Sequence, residues 1–143
     1  INLGMTHEYF SDPSAKVYYD QSLDTLFLEY IEKVKNDDHF IAINTAVLNA
    51  FKSLDTHKFV ADIRKMGVIS LTAQNWVINI LLPSMSAHLN GKELYHAQLL
   101  DPSEIFSKVS AGNIKRKAVT IADKFDVLQF SDKEDLLEQL KQN

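Results

Sequence analysis

The sequence predicts an α/β domain, with a mostly parallel sheet of about five strands opened by an N-terminal antiparallel hairpin, in the order ββαβαβαβα. Three observations predict it. Short runs rich in β-branched and aromatic residues recur along the chain. Segments of helical period, each preceded by a polar capping residue, alternate with those runs. The 143 residues are 45% hydrophobic and 24% charged, enough for one domain with its own core. Strands alternating with helices imply parallel pairing through right-handed crossovers.

Residues 1–14 hold Gly4, Asp12 and Pro13 and show no clear period. They read as an N-terminal arm, which leaves 15–143 as the domain. Lys16–Asp20 (KVYYD) and Asp24–Ile31 (DTLFLEYI) read as two strands, and the short polar link between them predicts a hairpin. Asp37 or Asp38 then caps a helix whose inner face carries Phe40, Ile43, Val47, Ala50, Phe51 and Leu54. Lys58–Ile63 is a short strand. Ser70 or Thr72 caps the next helix. With Thr72 as the cap, Leu71 and Trp76 have the spacing of a hydrophobic staple. Pro83 kinks this helix or starts another, and Asn90-Gly91 ends it. Glu93–Leu100 is the fourth strand. Asp101-Pro102-Ser103 opens a third helix, with Pro102 suited to the first turn. Phe125–Phe130 is the fifth strand. Ser131 or Asp132 caps a final helix with Leu136, Leu137 and Leu140 inside.

A net charge of −4 and a pI near 5.7 argue against nucleic acid as the main partner. With no cysteine, disulfides, thiolate metal sites and Cys nucleophiles are excluded, and a reducing, cytoplasmic location is expected. The apolar run Val77–Pro83 is interrupted by Asn79 and is too short to span a bilayer. Ile1–Pro13 lacks the basic start and long apolar segment of a signal peptide. No membrane partner is expected.

The stretch Lys58–Trp76 (KFVADIRKMGVISLTAQNW) places a strand end, a loop and a capped helix start in succession. In an open α/β sheet such ends are where sites are built. Asp62 and Arg64 are two apart and share a face if the strand continues that far. They either clamp a polar ligand, Arg64 offering its planar fork to a carboxylate or phosphate, or bridge each other and order the loop through Gly67. Ser70 and Thr72 either cap the helix or accept a phosphate, which a helix start favours. Trp76, Ile80 and Leu81 follow helical spacing. They pack into the core, or part of Trp76–Met85 faces a second subunit.

Catalytic signatures are missing. The five histidines His7, His39, His57, His88 and His96 form no local zinc motif. His96 alternates with Tyr95 in a strand, so one of the two faces the core. Asp37-Asp38 and Glu134-Asp135 sit at helix starts, where acidic residues complement the dipole. Adjacent helical positions point apart and make poor acid/base pairs. The four separated glycines build no phosphate loop, and there is no Gly-x-Ser-x-Gly elbow. Lys115-Arg116-Lys117, with Lys108 and Lys124, either meets an acidic partner or complements a helix end.

The element order, the segment Asp62-Ile-Arg-Lys-Met-Gly-Val-Ile-Ser70, Trp76 and the later Leu99-Leu-Asp-Pro-Ser-Glu-Ile-Phe-Ser-Lys108 together resemble the STAS-like (anti-sigma-factor-antagonist-like) domains, in particular a bacterial branch of them. The resemblance covers residues 15–142. Regulatory members carry a phosphorylatable Ser in an Asp-Ser-Ser-Gly-like turn. That turn falls here on Ser70-Leu71-Thr72-Ala73, where only Thr72 keeps a hydroxyl at a comparable position. The resemblance implies a non-enzymatic regulatory or protein-interaction module, expected to be a homodimer, with no cofactor and no metal. Its contact surface would run from Arg64 to Trp76 and on to Met85. The alternative is a small polar or anionic ligand held near Asp62, Arg64 and Ser70, with Met66 and Trp76 as apolar walls.

Overall fold

The computed structural model of the chain describes residues 5–102 and 127–143. Its strands are β1 (Thr6–Ser11), β2 (Ala15–Asp20), β3 (Thr25–Tyr30), β4 (Lys58–Asp62), β5 (Tyr95–Leu99) and β6 (Val127–Phe130). They form one sheet in which spatial order equals chain order. β1, β2 and β3 pair antiparallel, and β3 through β6 pair parallel. The helices are α1 (Asp37–Lys52), α2 (Leu71–Trp76), a π-helical turn (Val77–Leu81), α3 (Leu82–His88) and α4 (Lys133–Lys141).

The described elements of this mixed α/β sheet follow the expected order with one strand more than expected. Thr6–Ser11, read from sequence as part of an arm, is the edge strand β1. Its residues are almost all exposed, so neither face had to be apolar and no alternation marks it. A bulge between Glu8 and Phe10 shifts its register against β2. Asp12 makes the turn, its Oδ1 accepting from the Ser14 and Ala15 amides at 2.7 and 2.8 Å. The same carboxylate anchors the turn to α1 through His39 Nε2 at 2.9 Å. His39 Nδ1 accepts from the Lys35 amide at 3.1 Å, so the ring's proton sits on Nε2 and is donated to Asp12. Burial raises the Asp12 pKa, but the bonds from His39, Ser14 and Ala15 outweigh it and hold the carboxyl below its usual range.

Two further differences concern helix starts. Asn36, not Asp37 or Asp38, caps α1, accepting from the His39 amide at 2.8 Å. The two aspartates occupy the first turn, where the dipole favours them. Ser70, not Thr72, caps α2. This makes Leu71 the first helical residue and leaves it exposed, so it forms no staple with Trp76. The break at Pro83 takes a specific form. The π turn occupies the residues just before it, with the Leu82 amide bonding to the Val77 carbonyl. Proline lacks an amide hydrogen and its ring crowds the carbonyl four residues back, and a wider turn makes room for both. Asn90 and Gly91, both at positive φ, end α3. Asp132 caps α4.

The sheet has a core on each face. Val17, Leu26, Leu28 and Phe59 meet Phe40, Ile43, Val47 and Phe51 of α1 and Leu82 and Met85 of α3 on one side. Phe27, Val60 and Leu99 meet Leu136 and Leu140 of α4 on the other. β4 lies between these layers and is buried at every position, as a parallel strand covered on both faces must be. Lys58 is buried there too, and its Nζ donates to the Leu140 and Asn143 carbonyls at 3.1 and 3.2 Å. It therefore satisfies carbonyls that the end of α4 leaves unpaired. Burial lowers the Lys58 pKa. The helix expected from Asp101-Pro102-Ser103 and the basic cluster Lys108, Lys115, Arg116, Lys117 and Lys124 lie outside the described residues, apart from Asp101 and Pro102.

Candidate functional site

β4 delivers Asp62 to the carboxyl end of the parallel strands, and the chain turns at once, with the Met66 amide donating to the Ile63 carbonyl at 3.2 Å. Asp62 and Arg64 are brought together. Arg64 Nε donates to Asp62 Oδ1 at 2.9 Å and Nη2 to Oδ2 at 2.7 Å, a two-bond fork. The Arg64 amide also donates to Oδ1 at 3.2 Å. The carboxylate thus closes the turn as well as pairing the guanidinium. That hydrogen bonding raises the Arg64 pKa above its usual value. Arg64 retains a partly exposed edge beside Glu29, Ile31 and Lys65, which line a shallow cleft with it.

The segment after β3 braces the loop. The Val34 amide donates to the Met66 carbonyl at 3.3 Å. Gly67 has φ +80, and a Cβ there would lie 3.1 Å from Lys33 Cγ. Glycine suits the left-handed backbone, and a larger residue would also have to displace the Lys33 side chain. Ile69 is buried in the main core and pins the loop from below.

Ser70 serves two bonds. Its Oγ accepts from the Ala73 amide at 3.0 Å, the cap, and donates to Asp37 Oδ1 at 2.7 Å. The first turn of α1 is thereby fastened to the start of α2. Thr72, two residues on, is exposed and takes no part in this bond. Trp76 is half-buried against the main core, and Met85 is fully buried. Neither Trp76 nor Met85 belongs to an open face, so the proposed contact surface along this helix contracts to its exposed members. Its exposed apolar members are Val68, Leu71 and Ile80, of which Val68 and Leu71 are about 60% exposed and flank Ser70.

Ser70→Ala is expected to destabilise the fold by about 1 kcal/mol through loss of the cap. Thr72→Ala should stay within about 0.5 kcal/mol of wild type. Urea unfolding compares them, and equal losses would refute the assignment of Ser70 as the cap.

Sequence reasoning put one of Tyr95 and His96 in the core but missed the other polar groups there, Tyr30, Asn44 and Gln98. Of the pair Tyr95 and His96, it is His96 that faces the helices, stacked on Phe59 with ring centroids 5.2 Å apart. Gln98, two residues on, shares that face. A strand with polar residues at both of its inward positions was the available signal. Among the described residues no group of three His, Asp or Glu side chains could hold a metal ion, and no helix is long and apolar enough to cross a membrane. No family model, curated protein or solved structure matches the chain.

Proposed function

We propose that the chain is a non-enzymatic, STAS-like interaction module that works by protein–protein contact, its first partner being a second copy of itself. The observation that supports this reading is the outward placement of Val68 and Leu71 on a braced loop. Isolated surface aliphatics are common and need no explanation. Here Gly67, buried Ile69 and the Ser70–Asp37 bond fix the backbone under both side chains. Their exposure comes from a held conformation. A two-fold contact repeats one patch on both subunits, so two aliphatics on a rigid loop supply four to the interface.

The alternative, an anionic ligand on Arg64, has less support. Asp62 already takes two of the guanidinium's donors, and an anion would have to compete with a neighbouring carboxylate.

Sedimentation velocity over a range of concentrations tests the reading. Wild type should shift from monomer to dimer, and Val68→Asp/Leu71→Asp should remain monomeric with its circular dichroism unchanged. A wild-type monomer at every concentration, or a variant that dimerises equally well, would overturn it.

A further inference from the structure

Between the sheet, α1 and the π-helical turn lies a cavity of about 30 Å³. Leu28, Phe59, Ile63, Met66, Val77 and Leu81 supply apolar wall. Tyr30, Asn44, His96 and Gln98 also line it, each no more than 3% exposed.

The hydrogen bonds of these four do not balance. Asn44 Nδ2 donates to the Tyr30 oxygen at 3.1 Å and to the Phe40 carbonyl at 3.0 Å. That use of its oxygen leaves the Tyr30 hydroxyl its own hydrogen to donate. His96 Nδ1 and Gln98 Oε1 are buried with no partner. Leaving such a group unpaired costs about 1–3 kcal/mol, and two of the four such groups among the described residues line this one space. Burial disfavours the charged imidazole, and a neutral ring with its proton on Nε2 presents Nδ1 as an acceptor. In that tautomer the residues lining the cavity hold a surplus of one donor and two acceptors.

Volume selects the guest. A cavity needs about 10–15 Å³ to hold a water, whereas a benzene-sized guest occupies one of about 150 Å³. The space fits one small molecule and excludes a ring. Its lining is mostly apolar but includes Tyr30, His96 and Gln98, unlike the wholly apolar cavities that stay dry.

We propose that this cavity is a structural water site: one buried water accepts from the Tyr30 hydroxyl and donates to His96 Nδ1 and Gln98 Oε1. Both of its hydrogens and one lone pair are then used, and all three side chains are satisfied. The water joins β3 to β5 across β4 without a direct side-chain contact.

Two measurements on the full chain test this. In a high-resolution crystal structure, an ordered water within hydrogen-bond reach of the three atoms is expected, and a dry cavity overturns the proposal. Independently, Tyr30→Phe, Gln98→Leu and the double variant form a thermodynamic cycle read by urea unfolding. Tyr30 and Gln98 make no hydrogen bond to each other, so a shared guest would couple them. The double variant's unfolding constant should therefore lie several-fold below the product expected from the singles, because the second change removes a leg of a bridge already lost. Independent, multiplicative effects overturn the proposal. If Tyr30→Phe fails to fold, His96→Gln takes its place in the same cycle.

Discussion

Phe59→Ala is expected to cost about 3–5 kcal/mol, among the largest single losses available in this core. Phe59 is 1% exposed in β4. It stands between Leu26 on β3 and His96 on β5 in register, and its ring stacks on His96. Truncation removes the transfer energy of the ring and also leaves a hole, because strands bonded on both sides cannot close in. The hole joins the existing cavity, so its expected guest changes. Phenol should raise the variant's melting temperature more than benzene does, since its hydroxyl reaches Gln98 and His96 while its ring replaces the lost one. Wild type should respond to neither. Differential scanning fluorimetry reads this directly. Equal shifts with phenol and benzene would show that no polar group is reached, and a loss under about 2 kcal/mol would show that β4 relaxes around the gap.

The second large effect is on acid stability. Burial lowers the His96 pKa from 6.5 to about 4. The unfolded chain therefore binds a proton at His96 between about pH 6.5 and 4, while the folded chain does not. The sign follows: more protons on the unfolded state means stability falls as the pH drops through that window, and below it the dependence ends. A gap of about 2.5 pH units at about 1.4 kcal/mol each makes the loss about 3 kcal/mol. Asp12 acts in the same direction but lower down. Its stabilisation is full above pH 3.8 and is lost as the pH falls through its depressed folded value. Unfolding free energies at intervals from pH 7 to 4 should trace the His96 loss, and His96→Gln should flatten the curve across that interval. An unchanged slope in the variant would assign the effect elsewhere.

How much of this was legible in the sequence depends on whether a residue's role is local. Asn36, Ser70 and Asp132 act on amides two or three residues away, so each cap was readable to within a residue or two. The buried face of α1 was readable because burial imposes a 3.6-residue period on Phe40, Ile43, Val47 and Phe51. β1 was not, because an edge strand in water has no face to keep apolar. Nor was the π turn, whose cause at Pro83 was visible but whose form depends on the turn before it. The Asp62–Arg64 pair was readable as one of two alternatives, since strand spacing puts both side chains on one face and only geometry shows that each is the other's partner. The contacts of His39 with Asp12, of Lys58 with the end of α4, and of Tyr30 with Asn44 join residues 14 to 85 positions apart. No local pattern carries such information.

The unbroken correspondence between chain order and spatial order in the sheet bears on how the protein is made. No strand has to enter between two that are already paired. As the chain leaves the ribosome, β1, β2 and β3 can zip into a meander from local turns, and β4, β5 and β6 can then each dock on the growing edge. Among the described residues α4 alone acts backwards, closing over β3, β4 and β5 after β6 has been made. Until α4 docks, Phe27, Val60 and Leu99 lack their contacts with Leu136 and Leu140, and the Lys58 ammonium has no helix end to cap. The contacts of α4 with this face are thus the last of those described to become available during synthesis. The interval before they form is the one in which a holding chaperone has most to offer the nascent chain.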